Sequence, residues 1–373
     1  MKILLLGPAY PYRGGLSAII ERMAKEYIEL GHEVRIFTFS LQYPSLLFPG
    51  KTQYRDTKAP EDLLITRELS TINPFSWIKT ALRIRHWKAD MVILKYWTPF
   101  MAPAFGTVAR ISRFHSTTKF ICQIDNVEPH EHHFWDKLFN RYFLKSIDGF
   151  VYMSKQVHGE LSMYTSAPAL FSFHPMFENM GDRVDKNVAF SKLNLSKDFR
   201  YFLFFGLIRE YKGLDLLLDA FLKLNLDDVK LIVAGEFYEK KDRYLQILDK
   251  LGERVVLHDH FIDDDSVKYY FSAAEAVVLP YKTATQSGVT QIAYNFLTPM
   301  IVTDVGGLKE IVKDGVAGYV VKPKKEDIMQ AMLRMLQNNQ SELFSKLLVE
   351  ERKRFSWFEM CSKILEVYKM TKH

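Results

Sequence analysis

The chain is poor in cysteine and contains no long hydrophobic run, and both absences narrow what it can be. Only two of its 373 residues are cysteine, and neither Cys122 nor Cys361 has partners at the spacing of a disulfide framework or a zinc site. A reducing cytoplasm is therefore the expected compartment. No run reaches the roughly eighteen apolar residues of a membrane-spanning helix, so any membrane contact is expected to be peripheral.

A strong charge of either sign is also missing. The 50 lysine and arginine residues exceed the 44 aspartate and glutamate residues by only six, and no recognised nucleic-acid motif accompanies them, so no nucleic-acid partner is predicted. Hydrophobic residues make up 48% of the chain and charged residues 25%, which excludes an intrinsically disordered protein. At about 150 residues per domain, the length predicts two domains.

Short apolar runs alternate with helical stretches through most of the chain. A strand at 3–6, a glycine turn, a helical pattern and a second strand at 32–37 form a first β-α-β unit. Further apolar runs predict strands at 91–94, 120–124 and 150–153, and then at 201–206, 230–234, 255–257, 276–279, 300–302 and 319–321. The predicted fold class is therefore α/β, with two doubly wound sheets whose strand-to-helix loops face a cleft.

Two loops in the second half have the composition of a phosphate site. Arg209 and Lys212 follow the strand at 201–206, where an arginine grips phosphate oxygens bidentately and a lysine acts as a point charge. The alternative is that both are solvated charges in a turn. After the strand at 276–279, Ser287 or Thr285 is expected to cap a helix whose N–H groups around Gly288 and Val289 hold a diphosphate without a metal.

Glycine pairs follow two of the predicted strands. Gly14-Gly15 and Gly306-Gly307 each precede a helix, where glycine lets the backbone approach a ligand closely, although tight packing explains such a pair equally well. The first pair does not belong to a G-x-G-x-x-G motif, which removes the main support for a nicotinamide-dependent dehydrogenase.

Taken together, these motifs resemble the retaining glycosyltransferases of family 4. The resemblance rests on Gly14-Gly15 with the sequence GHEV at 31–34, on the loop 206–213, on Gly235-Glu236 and on the segment 306–315. It implies the GT-B fold of two facing Rossmann-like domains with an interdomain cleft. The expected boundaries are an acceptor-side domain at 1–180, a linker at 181–198, a nucleotide-sugar-binding domain at 199–352, and a helix at 353–373 that packs back on the first domain.

The resemblance also implies the chemistry. A hexose would move from a UDP- or GDP-sugar to a glycan or lipid-linked acceptor, with retention, in cell-surface polysaccharide biosynthesis. The nucleotide sugar is a co-substrate, and neither a cofactor nor a metal is expected. The residues assigned to donor binding are Gly14, Gly15, Gly206, Arg209, Lys212, Gly235, Glu236, Gln286, Ser287, Gly288 and Val289. The resemblance also allows a catalytically silent GT-B subunit or a nucleotide-sugar epimerase of the same fold.

Three departures from the family pattern are visible. Leu207 stands where the family usually has an arginine, which leaves Arg209 as a displaced substitute. The two family glutamates that contact the donor sugar and the ribose fall on Ala284 and Ile292. Asp125 stands where the family commonly has a histidine, and its carboxylate is expected to accept a hydrogen bond from a sugar hydroxyl or to stabilise positive charge at the anomeric carbon.

The catalytic group is therefore predicted as Asp125, Arg209 and Lys212, and the acceptor-side group as Asn126, His130 and Glu131. A metal site built from His130, His132 and His133 is disfavoured, because the spacing is irregular and a second ligand group is missing.

The basic residues are unevenly distributed. Between positions 77 and 119 there are eight lysine or arginine residues and one acid, Asp90, and seven aromatic residues are interleaved with them. A basic, aromatic-rich face predicts contact with an anionic membrane at its inner, cytoplasmic side. The alternative is that the aromatic residues lie in the core and the cations on solvated faces.

Overall fold

The computed structural model describes residues 1–44, 53–55, 58–128, 134–176, 180–284 and 287–372. The chain divides into two compact units, Met1–His174 with Trp357–His373, and Pro175–Ser356. We call them unit 1 and unit 2. Each is built around one parallel sheet, and the predicted α/β fold class is confirmed.

Unit 1 contains a seven-stranded parallel sheet in the order β3-β2-β1-β4-β5-β6-β7. The central strands are continuous apolar runs because both of their faces are covered. The strands are β1 Lys2–Leu6, β2 Glu33–Leu41, β3 Ile65–Ser70, β4 Met91–Tyr96, β5 Lys119–Ile124, β6 Gly149–Tyr152 and β7 Ala169–Phe171. Six helices accompany them: α1 Gly15–Glu29, α2 Pro74–Trp87, α3 Ala102–Arg113, α4 Asp136–Leu144, α5 Lys155–Ser162 and, from the end of the chain, α14 Trp357–Met370.

Helix α14 completes the core of unit 1. It packs against α1 and β6 and buries Trp357, Cys361 and Val367 beside the sheet. Gly149 in β6 makes this approach possible, since a Cβ atom there would lie 2.3 Å from a methyl carbon of Val367.

Unit 2 contains a six-stranded parallel sheet in the order β10-β9-β8-β11-β12-β13. Its strands are β8 Arg200–Phe205, β9 Val229–Ala234, β10 Val255–His258, β11 Ala276–Leu279, β12 Met300–Thr303 and β13 Gly318–Val321. Its helices are α6 Lys186–Lys192, α7 Leu214–Leu224, α8 Asp242–Leu251, α9 Asp264–Ala273, α10 Gly288–Asn295, α11 Leu308–Ile311, α12 Lys325–Leu336 and α13 Gln340–Glu351. The segment 181–198, for which the sequence predicts a linker, includes α6, which packs against α9.

Both sheets reverse their winding direction once. The strand order turns between β1 and β4 in unit 1 and between β8 and β11 in unit 2. Loops that leave neighbouring strands at such a point diverge to opposite faces of the sheet and open a crevice at the carboxyl ends. The β8–α7 and β11–α10 loops of unit 2 meet this description.

The aromatic residues between positions 77 and 119 do not form the surface that the sequence predicts. Most of them are buried or half-buried in the core of unit 1, and Phe114 alone among the seven is exposed. Lys95 is also buried. The aromatic part of the prediction is wrong because α2, β4 and α3 pack their aromatic side chains against one core cluster, whatever the charge of the neighbouring residues. In the described part of the chain, no helix is long and apolar enough to span a bilayer.

Candidate functional site

Glycines bring two loops together at the carboxyl end of β8 in unit 2. Gly206 has a φ of 96° and Gly235 a φ of 148°, and a Cβ atom on Gly235 would lie 2.2 Å from the carbonyl oxygen of Gly206. The contact is extended by backbone hydrogen bonds, from Ile208 N to the Glu236 oxygen at 2.8 Å and from Tyr238 N to the Ile208 oxygen at 3.0 Å. Only glycine fits at this contact.

Lys212 is a buried cation beside this glycine pair. It ends a single turn of 3-10 helix, Glu210–Lys212, and its Nζ lies 3.2 Å from the place where a Cβ atom on Gly206 would be. Within the described residues it has neither an ion-pair partner nor a hydrogen-bond acceptor. Burial, followed by the positive charge of Arg209, lowers the pKa of Lys212 from 10.5 to about 8. A buried ammonium group without a counter-ion is suited to receive an anion.

Arg209 lies on the exposed side of the same loop. Its guanidinium carbon is 5.3 Å from the ring centroid of Tyr238, a cation–π contact that leaves its five N–H donors available to a ligand. The structure therefore places both predicted cations at the turning point of the unit 2 sheet, Lys212 inside and Arg209 outside.

The β11–α10 loop lies against the same spot. A methyl carbon of Val289 is 3.6 Å from the Cβ position of Gly206, which makes the start of α10 a neighbour of Lys212. Ser287 occupies the N-cap position, but its side chain makes no capping hydrogen bond, and Thr285, the alternative cap, lies outside the described residues. The Ser287 Oγ instead lies 3.1 Å from the hydroxyl of buried Tyr281. Among the described residues, the N–H groups of Gly288 and Val289 have no acceptor, as expected where an anion is to be bound.

Ala284 and Ile292, at the positions where the family has glutamates, make structural contacts instead. The Ala284 carbonyl oxygen accepts a hydrogen bond of 3.4 Å from Gly307 N, and Ile292 is buried. One residue before Ile292, the sequence reading missed Gln291, which is buried with an amide oxygen that has no partner in the described part of unit 2. It offers a polar side chain next to the Ile292 position, and no local pattern in the sequence distinguishes it.

Some predicted site residues lie outside the described residues. These are Gln286 and Thr285 in unit 2 and His130, Glu131, His132 and His133 in unit 1. Within the described ranges, no group of three His, Cys, Asp or Glu side chains is arranged to hold a metal ion.

In unit 1, Asp125 forms an ion pair that the sequence reading missed. It follows β5, and its Oδ1 lies 2.9 Å from Nζ of Lys95 in the neighbouring strand β4. The Lys95 side chain is only 1% exposed, whereas the Asp125 side chain is 20% exposed. Asn126, next along the chain, is exposed. Asp125 therefore presents one oxygen to a buried cation, which leaves Oδ2 as an acceptor for another group.

The glycine loop of unit 1 is held by a buried carboxylate. Gly14, with a φ of 104°, and Gly15 are exposed at the start of α1. Glu21 anchors the preceding residues, since it accepts hydrogen bonds from Tyr10 N at 2.7 Å and from the guanidinium of Arg55 at 2.8 Å. Gly14 and Gly15 thus belong to unit 1, while the other donor-binding residues predicted belong to unit 2.

Gly213 provides a test of the loop geometry. Its φ is 68°, and a Cβ atom would lie 2.1 Å from the carbonyl oxygen of Pro280, so Gly213→Ala is expected to cost at least about 3 kcal/mol of unfolding free energy. Gly31→Ala is the control, because its φ is 80° and it has open space around it just after α1, so that only backbone strain of about 1 kcal/mol is added. Chemical denaturation measures both, and equal losses would contradict the steric explanation.

Known proteins resemble the chain over different lengths. The O-antigen chain mannosyltransferase C of Escherichia coli is 25% identical over 361 residues, which cover 95% of this chain and 93% of that protein. An uncharacterized glycosyltransferase of Methanocaldococcus jannaschii is 30% identical over 186 residues, so the match spans only about half of its length, 47%.

Solved structures share the fold at low identity. The Anabaena protein HepE in complex with UDP superimposes with a TM-score of 0.68 at 16% identity, over 99% of this chain and 100% of that one. Two family models match the sequence itself: Glycosyltransferase Family 4 at residues 13–172, and Glycosyl transferases group 1 at residues 200–338. The first covers β2 to β7 of unit 1 and the second all six strands of the sheet in unit 2, and the chain belongs to the family 4, group 1 glycosyltransferases, which have the GT-B fold.

Proposed function

We propose that the protein transfers a hexose from a UDP- or GDP-sugar to a glycan or lipid-linked acceptor, with retention and without a metal. The observation that carries this proposal is the buried ammonium of Lys212, which lies beside the start of α10 and has no acid partner among the described residues. An empty structural loop gains nothing from a buried cation with no acid to balance it. A diphosphate group supplies the missing negative charge.

Departure of a nucleoside diphosphate places negative charge on the diphosphate and positive charge on the sugar ring, so the catalysis required is largely electrostatic. Lys212 neutralises the leaving group from within the protein, and Arg209 does so with a bidentate contact from the exposed side. The N–H groups of Gly288 and Val289 add the positive end of the α10 dipole. These groups need no metal ion to perform this role.

Asp125 is the proposed electrostatic partner of the sugar. The ion pair with Lys95 holds its carboxylate in one orientation, and Oδ2 is available to a sugar hydroxyl or to the developing positive charge. No side chain is proposed as a nucleophile. Retention is therefore proposed by front-face attack, as the family resemblance implies.

The acceptor class is proposed from the relatives. The Escherichia coli relative is named for the O-antigen chain, a cell-surface polysaccharide, which supports a related role for this chain. Such acceptors are carried on lipids, so we place the reaction at the cytoplasmic face of a membrane, with the protein bound peripherally.

A panel of UDP- and GDP-sugars tests the proposal. Calorimetry is expected to show saturable binding of at least one sugar nucleotide, and transfer to acceptor is expected to continue in excess EDTA. The anomeric configuration of the product, read by NMR, is expected to match that of the donor. If the folded protein binds none of the panel at millimolar concentration, the proposal fails.

The same assay separates two related activities. An epimerase of the same fold releases an altered sugar when no acceptor is present. A catalytically silent subunit binds the donor and turns over nothing, with or without acceptor. Either result would contradict the proposed transfer and support the corresponding alternative.

A further inference from the structure

Helix α2 carries hydrophobic side chains on two opposite faces. Its inner face packs on the core of unit 1 through Thr80, Ala81, Ile84 and Trp87. On the opposite face, Phe75, Ile78 and Leu82 are 82%, 44% and 50% exposed. They follow the spacing of three and four residues that places side chains in one row along a helix, and we call them the outer stripe.

Unpaired cations surround the outer stripe. Lys79 lies one turn after Phe75, and Arg85 and Lys88 follow Leu82. Within the described residues, none of these three forms an ion pair or donates a side-chain hydrogen bond. Arg83, by contrast, is paired with Glu68. The face therefore combines exposed apolar surface with positive charge that none of the described acids neutralises.

The positive surface continues beside the helix. An open groove of about 780 Å³ is lined by Phe75, Ile78, Leu82 and His86 of α2 and by Lys2 and Arg35 of the neighbouring strands. The acids nearby are already engaged: Asp90 accepts a hydrogen bond of 2.7 Å from Lys2 N, and Glu33 lies 4.0 Å from the Lys2 ammonium.

We infer that the outer stripe inserts into an anionic lipid bilayer, with Lys79, Arg85 and Lys88 bound to the lipid phosphates. A second copy of the chain fits poorly, since a symmetric contact would bring the same cations face to face. A bilayer accepts both parts of the surface, because the apolar side chains enter the acyl boundary while the cations remain among anionic headgroups. At 1.5 Å per residue the helix is about 21 Å long, sufficient for three side chains to enter one leaflet together.

The inference deepens the proposed location of the enzyme and rests on that part of the proposed function. It also relocates the surface. The sequence predicts contact through the basic and aromatic residues of 77–119. Lys79, Arg85 and Lys88 belong to that set, but six of its seven aromatic residues are buried or half-buried, and the exposed apolar side chains are those of the outer stripe. The lipid contact belongs to unit 1 and does not depend on the identity of the donor bound by unit 2.

Vesicle flotation tests the inference. The wild-type protein is expected to float with vesicles of phosphatidylcholine and phosphatidylglycerol at 2:1, to float little with phosphatidylcholine alone, and to dissociate in high salt. The combined variant Phe75→Ser, Ile78→Ser, Leu82→Ser is expected to lose at least about tenfold in vesicle affinity. The variant Lys79→Gln, Arg85→Gln is expected to lose roughly fivefold per charge, with the anionic vesicles only.

Helix α13 supplies a matched control. Leu343, Leu347 and Val349 are 48%, 39% and 42% exposed there, but their neighbours include the acids Glu342 and Glu350. Replacing all three by serine removes similar apolar surface and is expected to leave flotation unchanged. Donor binding is measured in parallel for every variant and is expected to stay at the wild-type value, which separates a failure of this inference from a failure of the proposed transfer.

Three outcomes would overturn the inference. The first is a wild-type protein that binds a nucleotide sugar and yet fails to float with anionic vesicles. The second is an outer-stripe variant that floats as well as the wild type, or loses no more affinity than the α13 control. The third is a wild-type protein that self-associates in light scattering while the outer-stripe variant does not, in which case a second copy covers the stripe.

Discussion

Replacing Lys212 by methionine is expected to weaken donor binding about 100-fold and, in the same protein, to stabilise the empty fold. The ammonium group is buried beside Gly206 with no acid partner in the described residues. Loss of a buried charge that meets a diphosphate costs roughly 3 kcal/mol of binding, or about 100-fold in affinity. Calorimetry with the donor identified in the panel measures the first effect, and chemical denaturation at pH 7 measures the second.

The sign of the stability change follows from the pKa of Lys212. Burial lowers it to about 8 in the folded protein, while the unfolded chain keeps the ordinary value of 10.5. At pH 7 both states are protonated, so the cost of burying the charge is fully present and methionine removes roughly 1–3 kcal/mol of it. Between about pH 8 and 10.5 the unfolded state binds more protons, so the wild-type protein gains stability as the pH rises and the advantage of the variant shrinks.

Donor affinity has the opposite pH dependence. The affinity of the wild-type protein is expected to fall as the pH rises through about 8, because Lys212 loses the proton that makes it a cation. Lys230→Met is the control, since Lys230 lies at the amino end of β9 with its ammonium 4.2 Å from the Phe199 ring centroid. A loss of affinity in that control as large as in the Lys212 variant, or an Lys212 variant that binds normally, would refute the assignment.

The Lys95–Asp125 pair is expected to respond unequally to the loss of its two members. Asp125→Asn leaves an ammonium group, 1% exposed, without its carboxylate, and is expected to cost about 3–5 kcal/mol of unfolding free energy. Lys95→Met leaves a carboxylate that is 20% exposed and can be hydrated, so a loss of about 1–2 kcal/mol is expected. The double variant is expected to recover most of the loss, because no charge is then left unpaired.

An exposed pair provides the comparison. Lys241 and Asp259 approach to 2.5 Å with both side chains more than a third exposed, and Lys241→Met is expected to change stability by less than about 1 kcal/mol. Thermal or chemical unfolding of the four variants measures these changes. Equal losses of unfolding free energy for Asp125→Asn and Lys95→Met would contradict the explanation from burial. Asp125 should then be tested for catalysis in the Lys95→Met background, where Asp125→Asn no longer leaves a buried charge unpaired.

The sequence predicted those parts of the fold that depend on short stretches of neighbouring residues. Apolar runs between glycine turns identified eleven of the strands, among them β8 and β11, which flank the candidate site. It missed β3, since Arg67 and Glu68 interrupt the apolar pattern, and β7, which has only three residues. Both are outer strands of the sheet in unit 1, where partial exposure permits polar residues and short length.

The site was predicted less completely, because burial depends on distant residues. The run 91–94 ends before Lys95, which therefore reads as part of a basic surface, although β4 continues to Tyr96. Its partner Asp125 directly follows the neighbouring strand β5. In α2, likewise, Phe75 and Trp77 are both aromatic, and only the position of the sheet determines that one is exposed and the other half-buried. Lys212 was identified by its place after a strand, but its burial was not.

The position of α14 has a consequence for the order in which the protein is made. Unit 1 contains residues from both sides of unit 2, and α14 supplies Trp357, Cys361 and Val367 to its core. On the ribosome, every residue of unit 2 has been translated before α14 emerges, so unit 2 can reach its native state while unit 1 still lacks a helix. Until translation passes α14, the nascent sheet of unit 1 exposes the apolar surface that this helix later covers, and this surface is where a chaperone would bind.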